Sequence, residues 1–290
     1  MSTGEEIESF YTPSWWTRRY TKETVVGIHL ELINKKSEEL LRTIPCKLDV
    51  QYGCGPREKY NIIGTDLEND SPILIHVHGG YYQEERISHS SHAFIANALY
   101  KNHIKTITIG YELCPKKEVT EILTDLSAGI KECIKYGLSC KTRGIFLSGH
   151  SGGAHAVSVL FSKLCADLNE EEKHIVKGCF LISALYNIEK ITEVSANQLL
   201  NLSTETAIEL SPLLNELNYG TTKFYIIASE YDSPLFIKQA KQFQRKLKQN
   251  KVENELHIIT EVDHYDILEN LYFEDFTLTK LIINSINKIK

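Results

Sequence analysis

The sequence predicts an α/β fold: a mostly parallel central sheet with helices on both faces. Short β-branched runs alternate with longer, helically spaced ones along most of the chain. Several of those runs end at glycine-rich turns. The 290 residues, 42% apolar and 24% charged, contain no repeat, low-complexity tract or Gly/Ser-rich linker that would divide them. Alternating strand and helix implies parallel strands joined by crossovers. One domain spanning 1–290 is the simplest account, and a chain of this length buries roughly three quarters of its unfolded surface.

The elements follow in order. About 1–44 is expected to form an N-terminal helical segment. Residues 45–51 and 59–63 read as early strands, and 73–77 is a β-branched run that ends at Gly79-Gly80. A helix is expected over 88–101 and a strand over 105–109. Over 119–136, Val119, Ile122, Leu126, Ile130 and Cys133 fall on one helical stripe. A strand at 144–148 precedes a helix at 152–167, and further strands are expected at 176–183, 224–228 and 256–259. A basic helix at 235–249 separates the last two strands, and a final helix covers 274–289. The polar stretch 186–220, with Pro212, breaks the rhythm; it is either a lid insertion over the site or a packed surface excursion.

Composition excludes several classes. A net charge of −6 and a pI of about 6.0 argue against a nucleic-acid groove. No apolar run approaches the ~20 residues that span a bilayer. The N-terminus lacks the basic and apolar regions of a signal peptide, and the C-terminus carries no retention or prenylation signal. The seven cysteines form no CxxC pair and are expected to be buried free thiols in a reducing compartment. The expected location is the cytoplasm, with no cofactor, no membrane or nucleic-acid partner, and a monomeric or homodimeric state.

The chemistry concentrates at strand ends, where ligands bind in such sheets. Gly149-His150-Ser151-Gly152-Gly153 matches G-x-S-x-G between an expected strand and an expected helix. A turn that tight needs small neighbours and projects the Ser151 hydroxyl, while the helix start favours developing negative charge. This pattern points to a serine nucleophile. His78-Gly79-Gly80-Tyr81 follows the strand at 73–77. Its glycines let bare backbone approach a reacting carbonyl, so Gly79, Gly80 and the amide of Gly152 are the expected oxyanion hole. His78 is expected to hold that loop rather than to transfer protons. His76 and His78 alternate on one strand, but without a third ligand at suitable spacing no metal site is assigned.

A serine hydroxyl needs a base and an acid that orients it. His264 lies late, after the 256–259 strand, and is the expected base; His257 lies within that strand. Asp232, after the 224–228 strand, is the expected acid, with Glu230 as runner-up. Asp263 and Asp266 adjoin His264 and read as turn or capping residues.

At these residues the chain resembles the kynurenine formamidase (arylformamidase) family, which has the α/β-hydrolase fold. The matching stretches run through most of the chain and include His78-Gly79-Gly80-Tyr81-Tyr82, Tyr111-Glu112-Leu113-Cys114-Pro115, Gly149 to His155, Ser229 to Ser233 and Asp263-His264-Tyr265-Asp266-Ile267. The resemblance implies a triad at Ser151, Asp232 and His264, an oxyanion loop at His78 to Tyr81, and hydrolysis of N-formyl-L-kynurenine to L-kynurenine and formate. Its expected partner is therefore a small aromatic amide, with Tyr81 and Tyr82 as stacking surfaces. Where members of the family commonly carry Trp, Ala and Asn, this chain has Tyr82, Gly152 and Glu112; the last adds a charge expected near an amino-acid substrate. Two other readings fit the same motifs: a general carboxylesterase, and a ligand-binding protein that has lost turnover.

Overall fold

A computed structural model describes residues 3–289. The expectation drawn from the chain ends falls partly on residues 1, 2 and 290, outside that range. The strands are β1 (Cys46–Gln51), β2 (Lys59–Ile63), β3 (Ile73–Val77), β4 (Lys105–Ile109), β5 (Ile145–His150), β6 (Val176–Ile182), β7 (Lys223–Tyr231) and β8 (Asn254–Asp263). They form one sheet in the order β1-β2-β4-β3-β5-β6-β7-β8. β2 runs antiparallel to both β1 and β4, and every pairing from β4 through β3 to β8 is parallel.

Every residue of β3, β4 and β5 is buried, as expected of parallel strands covered on both sides. Alternate side chains feed opposite layers: Ile73, Ile75 and Val77 join one apolar cluster and Leu74 the other. The first cluster is closed by the helices Val119–Ser139, Gly152–Asp167 and Pro234–Gln249, and the second by Val25–Leu41, Ala96–Lys101 and Thr277–Asn287. The α/β expectation is borne out.

Strand order places the site. From β3 the chain goes to β4 on one side and then to β5 on the other, so β3 and β5 flank the point where winding reverses. Ligand crevices open at such points, beyond the carboxyl ends of strands. In register Val77 pairs with Gly149, so the loop from His78 and the turn at Ser151 leave the sheet side by side.

Three expectations need correction. Residues 88–92 are not helical; a 3₁₀ turn begins at Ala93 and the α-helix at Ala96. These residues form turns instead, in which Ser91 Oγ accepts the Ser88 amide at 3.0 Å and the Ser91 amide donates to Ser88 O at 3.0 Å. β8 runs four residues past 259, to Asp263. Only Cys114, Cys133 and Cys179 are buried, and Cys54 is exposed. Within 186–220 lie the short helical pieces Glu189–Glu193, Asn197–Leu200 and Thr204–Glu209, whose Ile191, Leu200 and Ala207 pack into the first cluster. Among the described residues no helix is long and apolar enough to cross a membrane.

Candidate active site

Ser151 sits between β5 and the helix Gly152–Asp167 with φ 52° and ψ −120°. A side chain in that region is strained, and the surroundings hold it there. The Ser151 amide donates to Ile182 O at 2.8 Å, and the Ser151 carbonyl accepts the His155 amide at 2.9 Å. The flanking glycines are steric necessities. A Cβ on Gly149 would lie 2.4 Å from the Gly153 carbonyl, and one on Gly153 would lie 2.2 Å from Val77 O.

His264 follows β8 and Asp232 follows β7. His264 Nδ1 lies 2.9 Å from Asp232 Oδ2, and both side chains are buried. A carboxylate oxygen accepts, so Nδ1 carries a proton, and in the neutral imidazole it is then Nε2 that can accept one. The other carboxylate oxygen, Oδ1, accepts the Ser233 amide at 2.8 Å. Glu230, by contrast, is exposed and accepts the Glu261 amide at 2.8 Å. His150 ties His264 to the elbow: its Nε2 donates to the His264 carbonyl at 2.8 Å, and the two rings stand 4.8 Å apart. Phe236 meets the His264 ring edge-on at 5.2 Å.

The loop after β3 presses against the elbow. His78 Nδ1 donates to Gly79 O at 2.8 Å, and Tyr111 Oη donates to His78 O at 2.8 Å. Burial pushes His78 down to about 3, so the ring is neutral and its part is to brace the loop. Gly80 has φ 103° and Tyr81 φ 52°. A Cβ on Gly152 would stand 3.2 Å from Tyr81 N and 3.9 Å from Gly80 N. The amides of Gly80, Tyr81 and Gly152 therefore cluster beside Ser151. Gly79 also comes close to the elbow: a Cβ there would lie 2.8 Å from His150 O and 3.2 Å from Ser151 Cβ. It lets the loop pass the elbow.

Tyr81 and Tyr82 both reach space next to Ser151. The Tyr82 hydroxyl is committed to packing, donating to His155 Nδ1 at 2.7 Å while His155 Nε2 donates to Leu210 O at 2.8 Å. The Tyr81 hydroxyl donates to Tyr11 O in the N-terminal helix. His76 is occupied by Ser148 Oγ at 3.1 Å and His92 Nδ1 at 2.9 Å. The expectation for Glu112 needs correction: it accepts the Arg57 amide at 2.9 Å and pairs with Lys116 at 2.7 Å, and it lines neither space that opens on Ser151.

The turn that carries His264 is held by a cluster of charges in which Arg19 reaches from the surface to the buried Asp263 and Glu269 and the half-buried Asp266. Arg19 lies 3.2 Å from Asp263, 3.3 Å from Asp266 and 2.8 Å from Glu269, which also meets His29 Nδ1 at 2.7 Å. Burial, reinforced by the Asp263 charge, pushes Asp266 up to about 7. Asp263 goes the other way: burial opposes its ionisation, but hydrogen bonds from Thr17, the Asp266 and Tyr265 amides and Arg19 hold it down at about 2. A carboxyl raised in the folded state stabilises while protonated. That contribution is complete below its ordinary pKa of about 4 and is lost as pH rises through about 7. Asp266→Asn keeps an acceptor for the Asp263 amide. Its Tm is therefore expected to gain on the parent at about pH 8 and much less at about pH 5; equal shifts at both pH values in thermal melts would contradict this.

A model of the α/β-hydrolase fold matches residues 74–267 of the chain. The chain belongs to the α/β-hydrolase family. It is 27% identical to a kynurenine formamidase of Danio rerio over 289 residues, covering 98% of this chain and 97% of that protein. It is 23% identical to a kynurenine formamidase of Drosophila melanogaster, covering 97% of each. A Silicibacter crystal structure superposes with a TM-score of 0.77 at 21% identity, covering 96% of this chain and 98% of its own. An esterase from Pyrobaculum calidifontis gives 0.68 at 18% identity over 90% and 92%. The protein is a hydrolase, and its fold and kinship agree with the family resemblance read from the motifs.

Sequence reasoning gave no part to His150 or Phe236, the two rings that pack against His264. His150 fills a position the motif leaves free, and Phe236 lies in the first turn of a helix as an ordinary apolar residue.

Proposed function

We propose that this hydrolase cleaves the formamide of N-formyl-L-kynurenine through Ser151, His264 and Asp232. The observation that carries the reading is the 2.9 Å Asp232–His264 bond at the strand rim that also holds the strained Ser151 elbow. Near full-length kinship to proteins named kynurenine formamidase supports the substrate.

The steps follow from donors and acceptors. His264 Nε2 takes the Ser151 proton as Oγ attacks the formyl carbon. The carbonyl oxygen gains negative charge beside the Gly80, Tyr81 and Gly152 amides; fixed donors stabilise it there more than in the planar ground state. Asp232 holds the imidazole in the required tautomer and stabilises its cationic form. His264 returns the proton to the anilide nitrogen, the C–N bond breaks, and L-kynurenine leaves. Water, deprotonated by His264, attacks the formyl ester, and formate leaves as Ser151 regains its proton.

Following absorbance as the purified protein acts on N-formyl-L-kynurenine tests the substrate. A kcat/KM at least equal to that on p-nitrophenyl acetate is expected. Turnover of the ester without the formamide would make the protein a general carboxylesterase. Turnover of neither, with Ser151 unlabelled by a fluorophosphonate, would make it a binding protein.

A further inference from the structure

Ser151 lies between two unequal spaces. One is a recess of about 20 Å³ walled by Tyr82, Phe236 and apolar residues of 185–202. The other is a cavity of about 360 Å³ lined by His29, Glu84, His92, His150 and Tyr265. We propose that the recess is an acyl stop: it admits the hydrogen of a formyl group or a single methyl and turns away longer acyl chains, while the leaving group occupies the larger cavity. The inference rests on the reading of Ser151 as nucleophile.

The tetrahedral carbon formed on Ser151 has three other substituents. The oxyanion belongs at the amide cluster of Gly80, Tyr81 and Gly152. The leaving group must receive a proton from His264, whose ring lies between the two spaces: His150 at 4.8 Å and Tyr265 at 5.5 Å line the large cavity, and Phe236 at 5.2 Å lines the recess, so volume and wall chemistry decide the side. A zwitterionic aromatic amine suits that volume and its polar walls; neither its bulk nor its charge suits the recess. The acyl substituent takes the remaining direction, across Gly152.

The size limit is physical. A space of about 20 Å³ holds roughly one water-sized group. Its walls are packed: Ile188, Ile191 and Leu200 are each no more than 4% exposed, and Leu202 9%. Further methylenes can enter only by displacing close-packed side chains. The segment 186–220, whose sequence only interrupts the strand–helix rhythm, thus acquires a part: its apolar residues set the depth of the acyl side.

p-Nitrophenyl acetate, butyrate and hexanoate share a leaving group and vary only the acyl chain. For the parent, kcat/KM is expected to fall roughly 10- to 100-fold from acetate to hexanoate. In Leu202→Ala and Ile191→Ala, checked for a cooperative melt, the hexanoate-to-acetate ratio is expected to rise about tenfold. A parent ratio near one overturns the proposal, as does an unmoved ratio in either folded variant. If neither variant folds, the parent profile decides alone. The leaving group is unrelated to kynurenine, so the two readings fail separately. A flat ester profile with N-formyl-L-kynurenine still hydrolysed removes the acyl stop only. A steep profile without formamide turnover removes the proposed substrate only.

Discussion

Ser151→Ala is expected to lower turnover by about four to six orders of magnitude, because removing a member of a nucleophile–base–acid unit disables the whole unit. The fold is expected to survive. The Ser151 side chain makes no capping bond to the helix it precedes, and alanine has the same Cβ in the same strained φ of 52°. Ser151→Gly separates chemistry from strain further. It is as inactive as the alanine variant but loses the Cβ that makes this conformation costly, so its melt is expected to rise by an amount equivalent to about 1 kcal/mol. A serine held where glycine would be more stable is what a functional constraint looks like in energy terms. Rates on p-nitrophenyl acetate, fluorophosphonate labelling and thermal melts of the three proteins check this. Residual activity in Ser151→Ala within tenfold of the parent would remove Ser151 as nucleophile.

Strand runs and glycine turns could be read from the sequence, and the partners of individual side chains could not. β3 to β6 were legible as short runs of apolar and β-branched residues between turns, and in the structure every residue of these four strands except Lys177 is buried. Ser151 and the His78–Tyr81 loop were legible because sharp turns and close backbone approaches need glycine at fixed offsets, and the structure sets these two turns side by side. The start of the helix near residue 93 was not legible, because Ser88, Ser90 and Ser91 suit the turns that occupy 88–92 as well as they suit a helix start. Glu112 was misplaced because the Arg57 amide that it accepts lies 55 positions away, while Lys116, four positions on, pairs with its charge. Arg19 passed unnoticed although it holds Asp263, Asp266 and Glu269 some 244 to 250 positions away. The recess beside Ser151 was equally invisible, since leucines and isoleucines at 185–202 look the same in sequence whether they fill a core or limit a substrate.

Asp232→Asn and Glu230→Gln together decide the acid, and the expected contrast is large. Asn offers an amide that can turn its N–H toward His264 Nδ1, and then the ring must carry its proton on Nε2. In that tautomer the atom facing the serine is a donor and cannot accept the Ser151 proton. The expected loss in kcat is about 10⁴ with little change in folding, since the amide can still accept from the Ser233 amide. Glu230 is exposed, and its carboxylate accepts the Glu261 amide. Glu230→Gln keeps an acceptor there and removes only a solvated charge, so its kcat is expected to stay within about threefold of the parent. Steady-state kinetics at about pH 7.5 resolve the pair, and a pH profile adds an independent readout. With the imidazolium no longer stabilised by a carboxylate, the residual activity of Asp232→Asn is expected to depend more steeply on hydroxide than that of the parent. Near-parent activity in Asp232→Asn together with an inactive Glu230→Gln would move the orienting role to Glu230, despite the 2.9 Å contact between Asp232 and His264.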